Sequence, residues 1–370
     1  MPRVCAQDQP CYRVSRLGGR PIIATPARPL RLRLAGLRHY RPTTKKRACL
    51  RAALRLCAVT GIDRVFWRSR LSPCEPGDEF DFGRWLDDVR RVLGTPSSLA
   101  TVIWPQLIAR RRLYVHLMSP AGTSIAFCKI ALNSDNSDRL KNELDTLRSL
   151  DGPRLTVTRL PRILHHDATP DYRYVVYEPF PADLVPLKHS WPELAPALAE
   201  ISGDVHRLDR AGLESTIWWQ RFSAGRDRHT REFLRQVDEA MGRPVTVCRV
   251  QGDATPSNLF RSKSGIWICD WEYSSPSGPY RTDELSYYLA ANHYQCLLRP
   301  MASLAACVQR FATALDRESI GNLTLAMAFL CGRNDPRALK LASHWRLLAP
   351  ATARRPDPQI GTASAPYGLS

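Results

Sequence analysis

Residues 250–271 read VQGDATPSNLFRSKSGIWICDW, and this stretch decides how the rest of the chain is read. Asp253 is followed five residues later by Asn258, and Asn258 twelve residues later by Asp270. VTVCRV (245–250) is a short β-rich run and GDATPSN a turn-rich loop. LFRSKSGIWIC then predicts a β-hairpin that turns at Ser-Lys-Ser-Gly, with Asp270 emerging at its end. Aspartate and asparagine beside hairpins also occur as plain turn formers, so the spacing alone leaves a structural reading open.

An acid–amide–acid set at this spacing suits phosphoryl transfer. One carboxylate can accept the proton of an attacking hydroxyl, while the amide and the second carboxylate hold magnesium against nucleotide phosphates. The segment resembles the aminoglycoside phosphotransferase and choline kinase superfamily, relatives of the protein kinases. Their catalytic loop usually reads His-Gly-Asp, four residues, then Asn, and their metal-binding Asp often sits in Asp-Trp or Asp-Trp-Glu. Here the loop is Gln251-Gly252-Asp253 … Asn258 and the second motif is Asp270-Trp271-Glu272. The resemblance implies an α+β, two-lobed protein-kinase-like fold, with a small antiparallel β-sheet lobe and a larger α-helical lobe. It also implies ATP and Mg2+ as cofactors, Asp253 as the catalytic base, and Asn258 and Asp270 as metal ligands.

Upstream, ATVIWPQLI, RRLYVHLMS and TSIAFCKIAL predict three consecutive strands from Leu99, with a Pro-Ala-Gly turn between the last two. Lys129 lies inside the third, where an unpaired buried ammonium would be costly. IAFCK resembles the Val-Ala-Ile-Lys strand of kinases, whose lysine pairs with nucleotide phosphates. The resemblance makes Glu143, on the helix expected over 139–150, its partner, so Lys129 and Glu143 are the cofactor-binding pair. The alternative has Lys129 snorkelling at a sheet edge and Glu143 solvated. Two features depart from the family pattern. Gly122 is the only glycine between 99 and 128, so no Gly-rich phosphate loop is present, and Gln251 replaces the usual His, which puts loop geometry in question.

RYVVYEPFP (173–181) predicts a strand, and in the resemblance its backbone near Tyr177 to Phe180 would hold adenine. Ser190-Trp191-Pro192-Glu193 reads as a capped helix start, with the helix expected to run through Asp209 and His206 structural. Trp218, Trp219 and Phe222 could form a sugar platform but more commonly pack in a core. A helix is expected at 229–242. Past the site, TDELSYYLAANHY opens a helix whose Asp283 the resemblance makes a support for the catalytic loop. Helices at 301–316, 321–332 and 335–348 and a patternless tail follow.

With 370 residues, 44% of them hydrophobic, the chain can bury a sizeable core. No apolar run approaches the roughly 18–20 residues of a membrane helix, and no signal peptide is evident. Eleven scattered cysteines without a CxxC pair argue against a disulfide framework or a zinc site and for a cytoplasmic setting.

The net charge of +18 is uneven: residues 1–70 hold 17 Arg or Lys against Asp8 and Asp63, a balance of +15. Such a region could meet an anionic surface or polyanion, or reflect composition bias alone. No nucleic-acid motif accompanies the charge, so nucleic acid is not the expected partner. Within it, residues 1–27 are expected to lack order, and LRLRLAGL (30–37) to form a half-buried strand. A basic helix is expected from Thr43 or Thr44 to about Val59, with Leu50, Leu54 and Cys57 on one face; it could lie on a membrane periphery or pack against the core. SPCEPGD (72–78) reads as a linker, before a helix with Trp85, Val89 and Val92 inward.

The organisation expected is a basic extension at 1–95, a nucleotide-binding lobe at 96–180, a catalytic lobe at 181–349 and a disordered tail at 350–370. The functional expectation is an ATP- and Mg-dependent phosphotransferase acting on a hydroxyl of a small molecule. The competing readings are a non-catalytic kinase-like binding module and a membrane- or polyanion-binding protein.

Overall fold

The computed structural model describes residues 12–17, 20–27, 29–39, 45–62, 80–105, 111–151, 155–187, 191–291 and 317–343. The linker at 72–78, the Ser190 cap, the helix expected at 301–316 and the tail lie outside these residues. The chain divides into two compact units, residues 1–144 with 161–182, and residues 145–160 with 183–370. The fold is α+β, with an antiparallel sheet in the first unit and most of the helices in the second.

The first unit is built on a seven-stranded sheet. Its strands are β1 (Tyr12–Leu17), β2 (Arg20–Pro26), β3 (Leu99–Ile103), β4 (Arg112–Met118), β5 (Ser124–Ala131), β7 (Ile163–Ala168) and β8 (Arg173–Tyr177), in the order β1-β2-β3-β4-β5-β8-β7. Every neighbouring pair is antiparallel. The three strands expected after Leu99 are all present. Two more precede them, so the expectation that 1–27 lacks order is corrected for residues 12–26, and part of the region taken as an extension belongs to the sheet itself. Alternation in RPIIATP sends Ala24 to one face of the sheet and Ile23 to the other.

Helices cover both faces. On one, α3 (Phe82–Val92), capped by Asp81, buries Phe82, Trp85, Leu86 and Val89 against Val102, Val115 and Val176. Val92, expected inward, is 53% exposed, because the 3.6-residue stripe through Val89 continues to Leu93 instead. On the other face, LRLRLAGL is not a strand but part of α1 (Leu30–His39). Leucine alternating with arginine mimics a strand, yet the stretch has no β-branched or aromatic residue, and Leu, Arg and Ala are strong helix formers. Gly36 is needed there, since a Cβ would fall 2.3 Å from Thr101 Oγ1. Beside it, α2 (Lys45–Thr60) turns Leu54 and Ala58 inward with Ile22 and Leu37. Arg55, Leu56 and Val59 face outward on the same helix.

The second unit is organised around α10 (Arg317–Gly332), whose turns from Asn322 to Cys331 are buried on every side. Trp218, Trp219 and Phe222, on α7 (Ile217–Ser223), pack with Phe233 and Phe329 in that core, which removes them as a sugar platform. Phe233 comes from α8 (Arg231–Ala240), and Leu213 of the same core from α6 (Arg210–Glu214). The helix expected through Asp209 stops earlier: α5 spans Trp191–Ser202 and ends at Gly203, with φ +58°. His206–Leu208 is instead the strand β10, paired with β11 (Val245–Val250), which also pairs with β14 (Ser275–Pro279). The hairpin β12 (Leu259–Ser262) and β13 (Gly265–Ile268) forms at the expected turn, with β9 (Val185–Pro186) beside β12 and β6 (Thr158–Arg159) beside β13. No described helix is long and apolar enough to cross a membrane.

Candidate active site

Three short elements of the second unit converge on Asp253. Strand β11 delivers the chain to Gln251, and Gly252 then turns at φ +81°. Only glycine fits, since a Cβ would lie 2.3 Å from the Tyr273 carbonyl oxygen. The hairpin supplies the other two residues. Its register sets Leu259 opposite Ile268, and the Cys269 N–H donates to the Asn258 carbonyl at 2.9 Å. Asn258 and Asp270 therefore leave the same end of one hairpin. Asp270 sits at φ +61°, an uncommon conformation for a residue other than glycine. Trp271 beside it is fully buried, with its Nε1–H donating to the Ile268 carbonyl at 3.0 Å, which pins the Asp-Trp turn.

The loop is held from two sides. Asp283, in the first turn of α9 (Thr282–Ala291), accepts the N–H groups of Gln251 and Gly252, one on each oxygen, both at 2.7 Å. Burial pushes its carboxyl up to about 6, and the two N–H donors oppose that rise. On the other side the Gln251 amide makes three bonds. Its Nε2 donates to the carbonyls of Cys269 (2.9 Å) and Asp270 (2.7 Å), and its Oε1 accepts the Asp253 N–H (2.7 Å). A neutral imidazole offers one donor and one acceptor. Gln251 therefore serves as the loop brace, and the doubt about loop geometry does not hold.

The Asp253 carboxylate itself is held by two donors. Asn258 Nδ2 reaches Oδ2 at 2.9 Å and the Asp253 carbonyl at 3.0 Å. Arg333 Nη2 reaches Oδ1 at 2.5 Å, and its Nη1 donates to the Gly252 carbonyl. Burial raises the Asp253 carboxyl above its ordinary value, against the lowering effect of Arg333. With Nδ2 turned to Asp253, the Asn258 Oδ1 is the end left to a cation. That oxygen and the Asp270 carboxylate are hard donors of the kind magnesium takes, so these residues fit the ion.

In the first unit, Lys129 and Glu143 form a buried pair, 7% and 1% exposed, with Nζ 2.8 Å from both carboxylate oxygens. Lys129 is held in β5 between Tyr114 and Val175, and Glu143 comes from α4 (Ser134–Leu150). The snorkelling alternative is thereby excluded. Near the expected adenine segment, the Glu178 N–H is given to the Arg162 carbonyl at 2.9 Å.

Arg333 was not found by sequence reasoning. It lies 80 positions from Asp253, beyond any local pattern. The only signal nearby is Asp335-Pro336, a helix start in which Asp335 accepts the N–H groups of Arg337 and Ala338 at the head of α11 (Pro336–Ala342).

No family model matches this chain, and no curated protein matches it. Among solved structures it is similar to an aminoglycoside-3'-phosphotransferase of type VIII, at 15% identity over 66% of this chain and 98% of that one, with a TM-score of 0.40. It is similar to a choline/ethanolamine kinase family protein from Mesorhizobium loti, at 14% identity over 72% and 94%, with a TM-score of 0.34. A third is a spectinomycin phosphotransferase in complex with ADP and spectinomycin, at 10% identity over 75% and 100%, with a TM-score of 0.40.

Proposed function

We propose that this protein is an ATP- and magnesium-dependent phosphotransferase whose acceptor is a hydroxyl of a small molecule. The observation that carries the reading is the Asp253 carboxylate, fixed by Asn258 and Arg333 on a loop braced by Gln251 and Asp283. A carboxylate fixed in this way can orient the acceptor hydroxyl and take its proton as the new O–P bond forms to the γ-phosphorus. The bond between that phosphorus and the β–γ bridging oxygen breaks, and ADP leaves. Lys129, held by Glu143, is assigned to the nucleotide phosphates, and Asn258 and Asp270 to magnesium. Bound magnesium would neutralise charge on the transferred group. The chain's own contribution is positioning and fixed charge.

The acceptor is read as neutral or anionic, such as a sugar or glycan precursor. A cationic acceptor calls for acidic groups facing it, and among the described residues the acids that follow Asp270 as far as α9 are committed or covered. Glu272 is 1% exposed, Asp283 holds the loop, and Glu284 pairs with Arg281 at 2.7 Å. The test is ATP consumption by the purified protein across a panel of hydroxyl-bearing metabolites. The expected outcome is magnesium-dependent ADP release with sugars or glycan precursors. Nucleotide binding with no turnover on any acceptor would favour the non-catalytic module instead.

A further inference from the structure

We propose that Arg333 is a positioning residue for phosphoryl transfer, which makes the turn after α10 part of the catalytic apparatus. This inference rests on the phosphotransfer reading of Asp253. Each oxygen of the Asp253 carboxylate takes one donor, Oδ1 from Arg333 and Oδ2 from Asn258, so the plane of the group is fixed from both sides. The same guanidinium binds the Gly252 carbonyl, tying the side chain of the base to the backbone just before it. A planar guanidinium presents a separate nitrogen to each of the two acceptors, which the single nitrogen of an ammonium does not.

Arg333 is itself held in place. The α10 helix ends on Asn334 in the left-handed conformation (φ +61°), with the Asp335 N–H donating to the Leu330 carbonyl at 3.1 Å. The guanidinium lies over the Tyr273 ring, 5.0 Å from its centre, and 3.3 Å from Asp335 Oδ2. Asp335 is in turn fixed by Arg337, through Nε at 3.0 Å and Nη2 at 2.5 Å. Buried arginine–aspartate pairs are common as structural ties. This one differs in its target, because the bond lands on the group assigned to the acceptor proton, in the field of Asp270 and Glu272.

The test uses the full chain and compares wild type with Arg333→Ala, Arg333→Lys and Arg333→Gln. Turnover is followed with the acceptor found in the panel, or as Mg-ATP hydrolysis to ADP and phosphate with water as the acceptor. Arg333→Ala should lower kcat by about a hundredfold while leaving the Kd for Mg-ATP within about twofold. Guanidinium ion should restore at least a tenth of the lost rate to Arg333→Ala and none to Asp253→Asn. Arg333→Lys should stay impaired, and Arg333→Gln replaces Arg333→Ala if the latter does not fold. A folded variant with near wild-type kcat, or a loss that guanidinium leaves untouched, overturns the inference while leaving the phosphotransfer reading intact. A wild type that turns over Mg-ATP with no acceptor, water included, overturns both, whether or not it binds the nucleotide.

Discussion

The side-chain amide of Gln251 donates to the carbonyl of Asp270 at 2.7 Å, joining the loop of the assigned base to the turn of the assigned metal ligand. The bond runs through backbone, so it sets where the Asp270 side chain starts without occupying its carboxylate. Gln251 is completely buried, so truncating it leaves the partners of its three bonds unpaired. Gln251→Ala should therefore cost about 2–4 kcal/mol in urea unfolding, the scale of buried polar groups left unpaired. Gln251→His, with one donor and one acceptor, should fall between wild type and alanine. Equal stability of Gln251→Ala and wild type would show that the brace contributes nothing.

Lys129 and Glu143 are predicted to behave as a buried ion pair. Lys129→Met leaves the Glu143 charge uncompensated and should destabilise the first unit by about 3–5 kcal/mol, whereas adding Glu143→Leu should recover most of that loss. Nucleotide affinity should stay weak in the double variant, because the cation assigned to the phosphates is gone. Denaturation curves and Mg-ATP titration on the same samples separate the two effects. A double variant with restored ATP affinity would remove Lys129 from the site.

Glu200 gives a pH dependence with a definite sign. Burial pushes its carboxyl up, but the N–H and hydroxyl donors of Thr156 and Thr158 outweigh that push and hold it at about 2, below the ordinary 4.5. A carboxyl depressed on folding stabilises the fold above its unfolded pKa, and loses that contribution as pH falls through the folded one. Glu200→Gln should thus be less stable than wild type by about 1–2 kcal/mol near neutrality, after allowance for solvent screening. The gap should narrow between about pH 5 and pH 2 in paired urea titrations. A gap independent of pH over that range would contradict the assignment.

The assigned residues were legible where local pattern and chemistry agreed. Asp253, Asn258 and Asp270 sit on a loop and hairpin whose turn residues and β-rich flanks could be read directly. Lys129 stood out as a cation in an apolar strand. What was missed was set by distant partners. Strands β1 and β2 gain their order by pairing into a sheet that begins again only at Leu99, and Arg333 finds Asp253 across 80 positions. LRLRLAGL alternates like a strand over eight residues, and the helix propensity of Leu, Arg and Ala decided it. The early end of α5 has a visible signal in Gly203, six residues before the end expected at Asp209.

The outward face of α2 bears Leu56 and Val59, 65% and 60% exposed, together with Arg55. With the +15 balance of residues 1–70, this face should bind vesicles containing anionic lipid more strongly than neutral ones. Binding should weaken steeply between low and physiological salt, and Leu56→Ser with Val59→Ser should reduce it. Co-sedimentation that is insensitive to salt and to both substitutions would reject this surface.

The most direct measurement is isothermal titration of Mg-ATP into wild type, Asp253→Asn and Asp270→Asn. Asp253 is assigned to the acceptor hydroxyl, so its isosteric amide should bind Mg-ATP as wild type does while turnover falls by about a hundredfold or more. Asp270→Asn should bind at least about tenfold more weakly, since a neutral amide is a poor replacement for a charged ligand to a hard cation. Saturable wild-type binding that requires magnesium, with the loss confined to Asp270→Asn, is the result this account predicts. A wild type that gives no binding heat with ATP, with or without magnesium, would contradict it.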